Sequence, residues 1–365
     1  MNDANYSLVL FTVLAQGYVG MIVTSYLCFR LAGRGEMPHV RREWIMAGVL
    51  LLAGLTASLF HIGHPFGAAA ALTHGATSWL SREVIAVCLF GALTAYTIVA
   101  MRKSLPASLM LGTAILGVVS LVVSGAAYAP PSLPALNNAS PIALFLLTAA
   151  SIGLASKSFF GPKDDDGFVA QWLIFVLIAS IAVRIILPSV WSSGGAVMMK
   201  TGQAWFASPV FWLHIVLLAA PIPFLLKSKA LKPWMFVAVL AAELLGRLTF
   251  FVGTAATYQN LFRSLLDHSD LVLVDMRGTG LSGPIDCPNV QRGTAPEWIG
   301  LGECARRLGD DFEAYATGAA AEDIDAVRAA LGYERMALYG DSYGTFLGQS
   351  YAYRHPDRLE AVVLD

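Results

Sequence analysis

The chain has 365 residues, of which 56% are hydrophobic and 13% charged, with a formal net charge of -1. This composition is extreme for a soluble protein and ordinary for a helical membrane protein. The net charge hides an asymmetry, because residues 1–257 carry 15 basic and 8 acidic side chains whereas residues 258–365 carry 9 and 17. Nucleic-acid binding therefore has no support. The change in character predicts two domains, 1–257 and 258–365.

Eight long apolar stretches in the first domain each fit a bilayer core of about 30 Å, which about 20 helical residues cross. They show no period-two alternation, and backbone groups in lipid must be satisfied within a segment, so helices are predicted rather than a barrel. Residues 1–6 lack a basic region and no cleavage site follows, which predicts a retained first span. The spans are placed roughly at 7–30, 44–63, 79–101, 108–128, 141–160, 168–190, 209–227 and 234–255.

The distribution of basic residues predicts the orientation, since lysine and arginine favour cytoplasmic loops. The even-numbered loops offer only Arg82 and Lys200. The odd-numbered loops carry eleven basic residues: Arg30, Arg34, Arg41, Arg42, Arg102, Lys103, Lys157, Lys163, Lys227, Lys229 and Lys232. We therefore expect a bacterial inner-membrane protein with the N-terminus and the 258–365 tail on the periplasmic side.

Ionisable side chains near the outer ends of spans two and three form the first candidate site, because charge inside a span indicates function by default. His61 and His64 are three residues apart, which places them on one helix face. Arg82 and Glu83 open span three at a similar depth. A histidine and a carboxylate at one depth can accept two protons. The structural alternative is that His61 and Glu83 pair with each other and brace two helices.

Three further positions in the spans have both a structural and a functional interpretation. Glu243 and Arg247 are four residues apart in span eight, a spacing that predicts an internal ion pair of structural character. Arg184 in span six either serves a site or extends toward the interface. A haem between His61 and His214 is disfavoured, because the spans hold no second histidine pair at another depth.

Four segments in register carry a family resemblance, at Leu10–Gln16, Leu59–Pro65, Ser78–Val84 and Ala242–Arg247. With the eight-span layout, they make residues 1–257 similar to the membrane anchor subunit of dimethyl sulfoxide reductase. The resemblance implies an anchor that oxidises menaquinol, carries no haem, and holds an iron–sulfur subunit and a molybdopterin catalytic subunit. It matches His61 to the histidine linked to quinol binding and Glu83 to the acidic residue of span three, and it leaves His64 at a variable position of the motif. We predict that His61 and Glu83 share one outer-side pocket, with Arg82 close by.

The tail has the pattern of an α/β enzyme. The apolar run 270–275 predicts a buried parallel strand, Ala320 to Leu331 has helical spacing, and Met336–Tyr339 predicts a short strand. That strand leads into Gly340-Asp341-Ser342-Tyr343-Gly344, followed by a predicted helix 345–353 and a strand 361–364. A strand, G-x-S-x-G and a helix in this order predict a nucleophile elbow with Ser342 as the nucleophile.

The segments 275–283, 286–288 and 339–344 resemble the prolyl- and tripeptidyl-aminopeptidase branch of the α/β hydrolases. No His-Gly-Gly-Pro-Gly loop precedes the first strand, and neither His268 nor His355 matches the family's base. Asp365 comes too early for the family's acid. We therefore expect an incomplete α/β-hydrolase fragment in which Ser342 is an ordinary alcohol.

The predicted location of each cysteine indicates its role. Cys28 and Cys88 lie in spans and are expected to be small core residues. Cys287 and Cys304 lie in the tail, which is predicted to face an oxidising compartment, so they are disulfide candidates. Two free thiols are the alternative.

The sequence thus predicts a polytopic all-α membrane anchor that oxidises menaquinol in the bilayer, followed by an inert hydrolase fragment. The iron–sulfur clusters and the molybdopterin are expected in partner subunits only. The alternative from another class is a membrane-tethered serine aminopeptidase, inactive as this chain stands because the triad Asp and His are missing. A transporter is a third possibility, but internal-repeat and broken-helix signals are not evident.

The orientation can be tested with reporter fusions after Asp365. The bias of basic residues predicts that alkaline phosphatase fused there is active, because that enzyme folds only in the periplasm, and that a cytoplasm-dependent fluorescent reporter is dark. The reverse pattern contradicts the orientation and removes the reason to expect a disulfide.

Overall fold

The computed structural model describes residues 3–30, 37–59, 75, 78–102, 107–129, 133, 135–160, 166–266, 269–291 and 297–364. The chain divides into two compact units, Met1–Asp267 and His268–Asp365. Helix α10 continues past position 257 to Leu265, so the change in composition falls within one helix.

The first unit is helical wherever it has regular structure in the described residues. Its helices are α1 (Asp3–Arg30), α2 (Met37–Leu59), α3 (Trp79–Ala100), α4 (Ala107–Ala127), α5 (Ser140–Phe160), α6 (Asp166–Ser192), α7 (Ala196–Ala207), α8 (Pro209–Ala219), α9 (Pro221–Ser228) and α10 (Pro233–Leu265). Eight segments among the described residues are long and apolar enough to cross a membrane, with α8 and α9 together forming the seventh. The predicted eight-span class is confirmed.

Span two begins earlier than predicted. Helix α2 starts at Met37 rather than near 44, because its charged first turns have partners on neighbouring helices. Arg41 Nε donates to the Ile98 carbonyl near the end of α3, at 3.2 Å. Glu43 forms a buried ion pair with Lys157 on α5, with Nζ and Oε2 2.6 Å apart. Charges that the sequence suggested for a loop thus lie on a packed helix.

Helix α1 is the central element of the first unit and packs against α2, α4, α5 and α10. Its contact with α5 is backbone to backbone. A Cβ built on Gly20 would lie 1.8 Å from the Ala149 carbonyl oxygen, and one on Gly153 would lie 2.2 Å from the Gly20 oxygen. Small residues at a helix interface permit this approach in a bilayer, where packing rather than hydrophobicity drives association.

The second unit contains α11 (Pro288–Gln291), α12 (Glu297–Leu308), α13 (Thr317–Ala330), β1 (Met336–Gly340), α14 (Tyr343–Arg354) and β2 (Leu359–Leu364). Strands β1 and β2 are parallel, with Ala337 opposite Ala361 and Gly340 opposite Leu364. Helices α13 and α14 close a small core with the strands. Arg328 and then Tyr351 donate to Asp325, and these hydrogen bonds lower the pKa of that carboxyl to about 2.

The predicted buried strand at 270–275 is not formed. The run has no strand hydrogen bonding, and Leu273 is 86% exposed. An all-apolar strand is stable in a parallel sheet only when strands flank it and helices cover both faces. In the described part of the tail the sheet has two strands, β1 and β2, and the run joins neither.

The α1–α5 contact predicts a specific sensitivity at Gly20. Gly20→Ala places a methyl group where Ala149 already stands, so the helices must separate, and we expect a loss of about 1–3 kcal/mol or more in the free energy of unfolding. The control is Gly48→Ala on α2, where a Cβ meets nothing within 4 Å. Both changes add the same helix propensity. Thermal unfolding in detergent measures the difference, and equal melting temperatures for the two variants contradict the contact.

Candidate functional site

Glu83 lies beside a cavity between α1, α3 and α4, with Leu51 of α2 also in its wall, which we call the α1–α3–α4 cavity. The side chain is 5% exposed, and one carboxylate oxygen, Oε1, accepts a hydrogen bond from the Ser124 hydroxyl on α4. A buried carboxylate is costly unless it is hydrogen-bonded or paired, and one hydroxyl donor leaves most of its acceptor capacity unused. The cavity is lined by Phe11, Thr12, Ala15, Gln16, Tyr18, Val19, Leu51, Glu83, Val87, Phe90, Ser120, Leu121 and Ser124.

Gln16 is a second polar residue on this cavity, and the sequence did not single it out as a site residue. Its Oε1 accepts a hydrogen bond from Arg247 Nη2 on α10, at 2.7 Å. Its Nε2 is buried and has no partner among the residues that the structure describes. Two sequence features could have pointed to this residue: it is a glutamine within an apolar span, and it ends the Leu10–Gln16 motif.

Arg82 does not line the cavity, although it adjoins Glu83 in sequence. Consecutive helical residues point about 100° apart, so the two side chains diverge. Arg82 Nε donates to the Gly75 carbonyl at 3.0 Å, and the guanidinium lies 4.6 Å from the centroid of the Trp79 ring. His61 and His64, the other residues assigned to quinol, lie outside the described residues.

A second cluster of polar residues surrounds the α5–α8–α10 cavity, and it corrects the predicted ion pair. Glu243 pairs with Arg184 on α6, with Oε2 and Nη2 2.6 Å apart, instead of with Arg247. Thr148 on α5 donates to the same oxygen at 2.7 Å. Because Arg184 is directed inward to Glu243 and is 5% exposed, it does not extend toward the interface. The lining residues are Leu144, Thr148, Arg184, Trp205, Phe211, His214, Glu243, Gly246, Arg247, Thr249 and Phe250.

Arg247 has a different set of partners. In addition to Gln16, it lies over two rings, with Cζ 4.1 Å from the Phe145 centroid and 5.3 Å from that of Phe250. Desolvated contacts of this kind stabilise a guanidinium by about 2 kcal/mol. The i, i+4 spacing therefore drew attention to two buried polar positions but did not predict their partners, which lie on other helices.

His214 is packed directly against the backbone of α10. Its Nδ1 lies 2.7 Å from the Ala242 carbonyl, which makes Nδ1 the protonated nitrogen in the neutral ring. A Cβ on Gly246 would lie 2.6 Å from the imidazole, so this position requires glycine. Four buried atoms of residues that line this cavity lack hydrogen-bond partners among the described residues: Trp205 Nε1, His214 Nε2, Glu243 Oε1 and Arg247 Nε. Two donors and two acceptors match the hydrogen-bonding capacity of one water molecule.

In the tail, Ser342 adopts the strained backbone of a nucleophile elbow. It has φ 54° and ψ -116° at the start of α14, a conformation rare for a residue other than glycine. Gly340 permits the turn, because a Cβ there would lie 2.2 Å from the Gly344 carbonyl oxygen. The structure therefore has the local geometry that the G-x-S-x-G pattern predicts.

The described tail does not supply a base to Ser342. His355 follows the other end of the 12-residue helix α14, about 18 Å away at 1.5 Å per residue. Its Nε2 lies 3.1 Å from Glu322 Oε2. The other histidine of the tail, His268, lies outside the described residues. Cys287 and Cys304 form a disulfide with Cα atoms 5.5 Å apart.

The eight membrane-spanning segments and the buried charged clusters define the first unit as a polytopic, membrane-embedded helical bundle. A family profile described as DMSO reductase anchor subunit (DmsC) matches residues 1–254, so the protein belongs to that family. A second profile, for the alpha/beta hydrolase fold, matches residues 251–365.

Individual relatives fall into the same two groups, reductase subunits and peptidases. The protein is 31% identical over 182 residues to the C subunit of the anaerobic dimethyl sulfoxide reductase of Haemophilus influenzae, covering 47% of this sequence and 65% of that subunit. It is 42% identical over 66 residues to serine protease Hip1 of Mycobacterium bovis, covering 18% of this sequence and 13% of the protease. It is 32% identical over 117 residues to tripeptidyl aminopeptidase of Streptomyces lividans, covering 26% and 21%. The protein thus spans about two thirds of the reductase subunit and a small part of either peptidase.

The geometry predicts that Ser342 is chemically inert. Because the described tail offers Ser342 no base, its hydroxyl stays protonated. The protein in detergent should therefore remain unlabelled by a fluorophosphonate probe that labels an intact serine hydrolase in the same tube. Stoichiometric labelling that is lost in Ser342→Ala contradicts this prediction.

Proposed function

We propose that this protein is the quinol-oxidising membrane anchor of a respiratory reductase complex. The observation that carries the proposal is a buried carboxylate, Glu83, on a cavity between spans of a protein that belongs to the anchor family. In this proposal menaquinol binds in the α1–α3–α4 cavity. Its two electrons pass to an iron–sulfur subunit and then to a molybdopterin catalytic subunit.

The proton chemistry assigns a role to each side chain. Oxidation of menaquinol to menaquinone releases two electrons and two protons. Glu83 accepts one proton from a ring hydroxyl, because its carboxylate has acceptor capacity beyond the Ser124 hydrogen bond. His61 accepts the other, as its family position implies. Arg82, which lies outside the cavity lining, and His64 are proposed to support binding of the quinol.

The ring must displace side chains to enter. The cavity has free room for about one water molecule. Its wall is mostly apolar and includes Phe11, Leu51 and Val87. Such side chains exchange rotamers at low cost compared with breaking a buried ion pair. We therefore propose that the quinol ring enters through this apolar wall, and that Glu83 and Gln16 hydrogen-bond to its oxygens from fixed positions.

The location and partners follow from the same proposal. The anchor lies in the bacterial inner membrane with both termini in the periplasm, and the iron–sulfur subunit docks on the outward side near Glu83. The clusters and the molybdopterin belong to those partners, and this protein supplies the quinol site and the attachment to the bilayer.

A membrane-tethered serine peptidase is the second candidate, and the backbone of Ser342 is the observation that favours it. It requires a histidine and an acid brought to the elbow from outside the described tail. Fluorophosphonate labelling of the assembled complex separates this candidate from the anchor function.

The quinol site predicts a phenotype that separates chemistry from assembly. Glu83→Gln keeps the size of the side chain and an acceptor for Ser124 but loses the proton acceptor. We expect an assembled, membrane-bound complex whose rate of menaquinol-analogue oxidation falls at least a hundredfold, as for removal of a catalytic base. His61→Ala should behave in the same way.

The control for this experiment is Glu43→Gln, which neutralises a buried carboxylate that has no place on the cavity. It leaves the buried Lys157 ammonium without a compensating charge, so we expect a loss of stability of about 3–5 kcal/mol, with normal turnover per assembled complex. If Glu83→Gln and His61→Ala both assemble and oxidise quinol at the parental rate, the site lies elsewhere, and the α5–α8–α10 cavity becomes the next candidate.

A further inference from the structure

The orientation of the Gln16 amide is set from outside the α1–α3–α4 cavity. An amide has one accepting end and one donating end, and its neighbours decide which end points where. Arg247 carries only donors, so the atom of Gln16 that it contacts at 2.7 Å must be the oxygen. The NH2 group therefore forms the other end, and Nε2 is buried without an acceptor among the described residues.

We propose that Gln16 Nε2 donates a hydrogen bond to a ring oxygen of the bound quinone, and that Arg247 is the positioning residue that holds the amide in this orientation. The inference rests on the quinol site proposed above. It specifies the ligand further, since the ring must carry an oxygen that accepts a hydrogen bond at the α1 side of the cavity.

Arg247 can hydrogen-bond to Gln16 because the negative charge of Glu243 is paired with Arg184 instead. The Glu243 oxygen Oε2 takes hydrogen bonds from Arg184 and Thr148, at 2.6 and 2.7 Å. The rings of Phe145 and Phe250 hold the Arg247 guanidinium in place. A fixed cation of this kind excludes the flipped amide, in which two donors would face each other.

The test is a double-mutant cycle on the affinity for a short-tailed naphthoquinone, measured by titration of the assembled complex in nanodiscs. Gln16→Met removes the donor, and Arg247→Met removes the group that orients it. We expect Kd to rise about tenfold in each single variant, the effect of one buried hydrogen bond. If Arg247 acts through Gln16, the double variant also shows about tenfold rather than about a hundredfold.

Two further variants separate positioning from loss of structure. Gln16→Glu keeps a partner for Arg247 but removes the donor, so we expect normal assembly and the same tenfold weaker binding. Thr56→Val on α2 alters a hydroxyl that bonds to the Leu52 carbonyl of its own helix at 2.8 Å and does not line the cavity, so it should leave Kd unchanged.

The outcomes distinguish this inference from the proposed function. A hundredfold effect in the double variant, or parental Kd in both Gln16 variants, overturns the inference while quinone binding by the parent protein stands. If Arg247→Met fails to assemble, the affinities of Gln16→Glu and Gln16→Met decide whether the Gln16 donor binds the quinone. Arg247→Lys then tests the positioning role. Because its single ammonium still donates to Gln16 Oε1, we expect near-parental Kd, and a tenfold loss of affinity counts against the inference. Failure of the parent protein to bind the naphthoquinone overturns the proposed function itself.

Discussion

The backbone contact between helices α1 and α5 is the constraint on which the polar interior of the membrane unit depends. Gly20 meets Ala149 and Gly153 with no room for a side chain on either glycine. Gln16 lies one turn before Gly20 and therefore on the same face of α1. The contact at Gly20 therefore fixes the height of Gln16 along the α1 axis, relative to the neighbouring helices, to within a fraction of a turn. The hydrogen bond to Arg247 on α10 forms only if Gln16 is at that height.

Three buried cations in the described part of this bundle are each stabilised by a different set of partners. Lys157 has the Glu43 carboxylate, Arg184 has Glu243 with Thr148, and Arg247 has an amide oxygen and two aromatic rings. Ionisable groups in spans are expensive, and the loss of one partner costs far more than the pair contributes. Because Arg247 has no carboxylate partner among the described residues, the lining of the α5–α8–α10 cavity has an excess of positive charge: two arginines face one glutamate.

The spans were predictable from the sequence because length and apolarity are properties of single segments. Partner choice was not, since it depends on how helices rotate against one another. The four-residue spacing of Glu243 and Arg247 suggested a pair within α10, yet the partners are Arg184 and Gln16, on α6 and α1. The charge of Glu83 in a span drew attention to that residue, whereas Gln16, which lines the same cavity, was not predicted because an uncharged amide gives a weak signal. In the tail, the elbow followed from local pattern, but the strand at 270–275 needed neighbours that the pattern does not contain.

The position of Gln16 in the sequence has a consequence for biogenesis. Thr12, one turn earlier, bonds to the carbonyls of Leu8 and Val9 and is satisfied as soon as its own helix forms. The partner of Gln16 lies 231 residues further along. At a synthesis rate of about 5–20 residues per second, α1 waits roughly 10–50 s for Arg247. During that interval a bare amide in α1 must be accommodated by the insertion machinery, by lipid head groups or by water. Helix α1, which is made before the other described helices, is therefore among the last to reach its final environment. Ribosome pausing before α10 would lengthen that exposure.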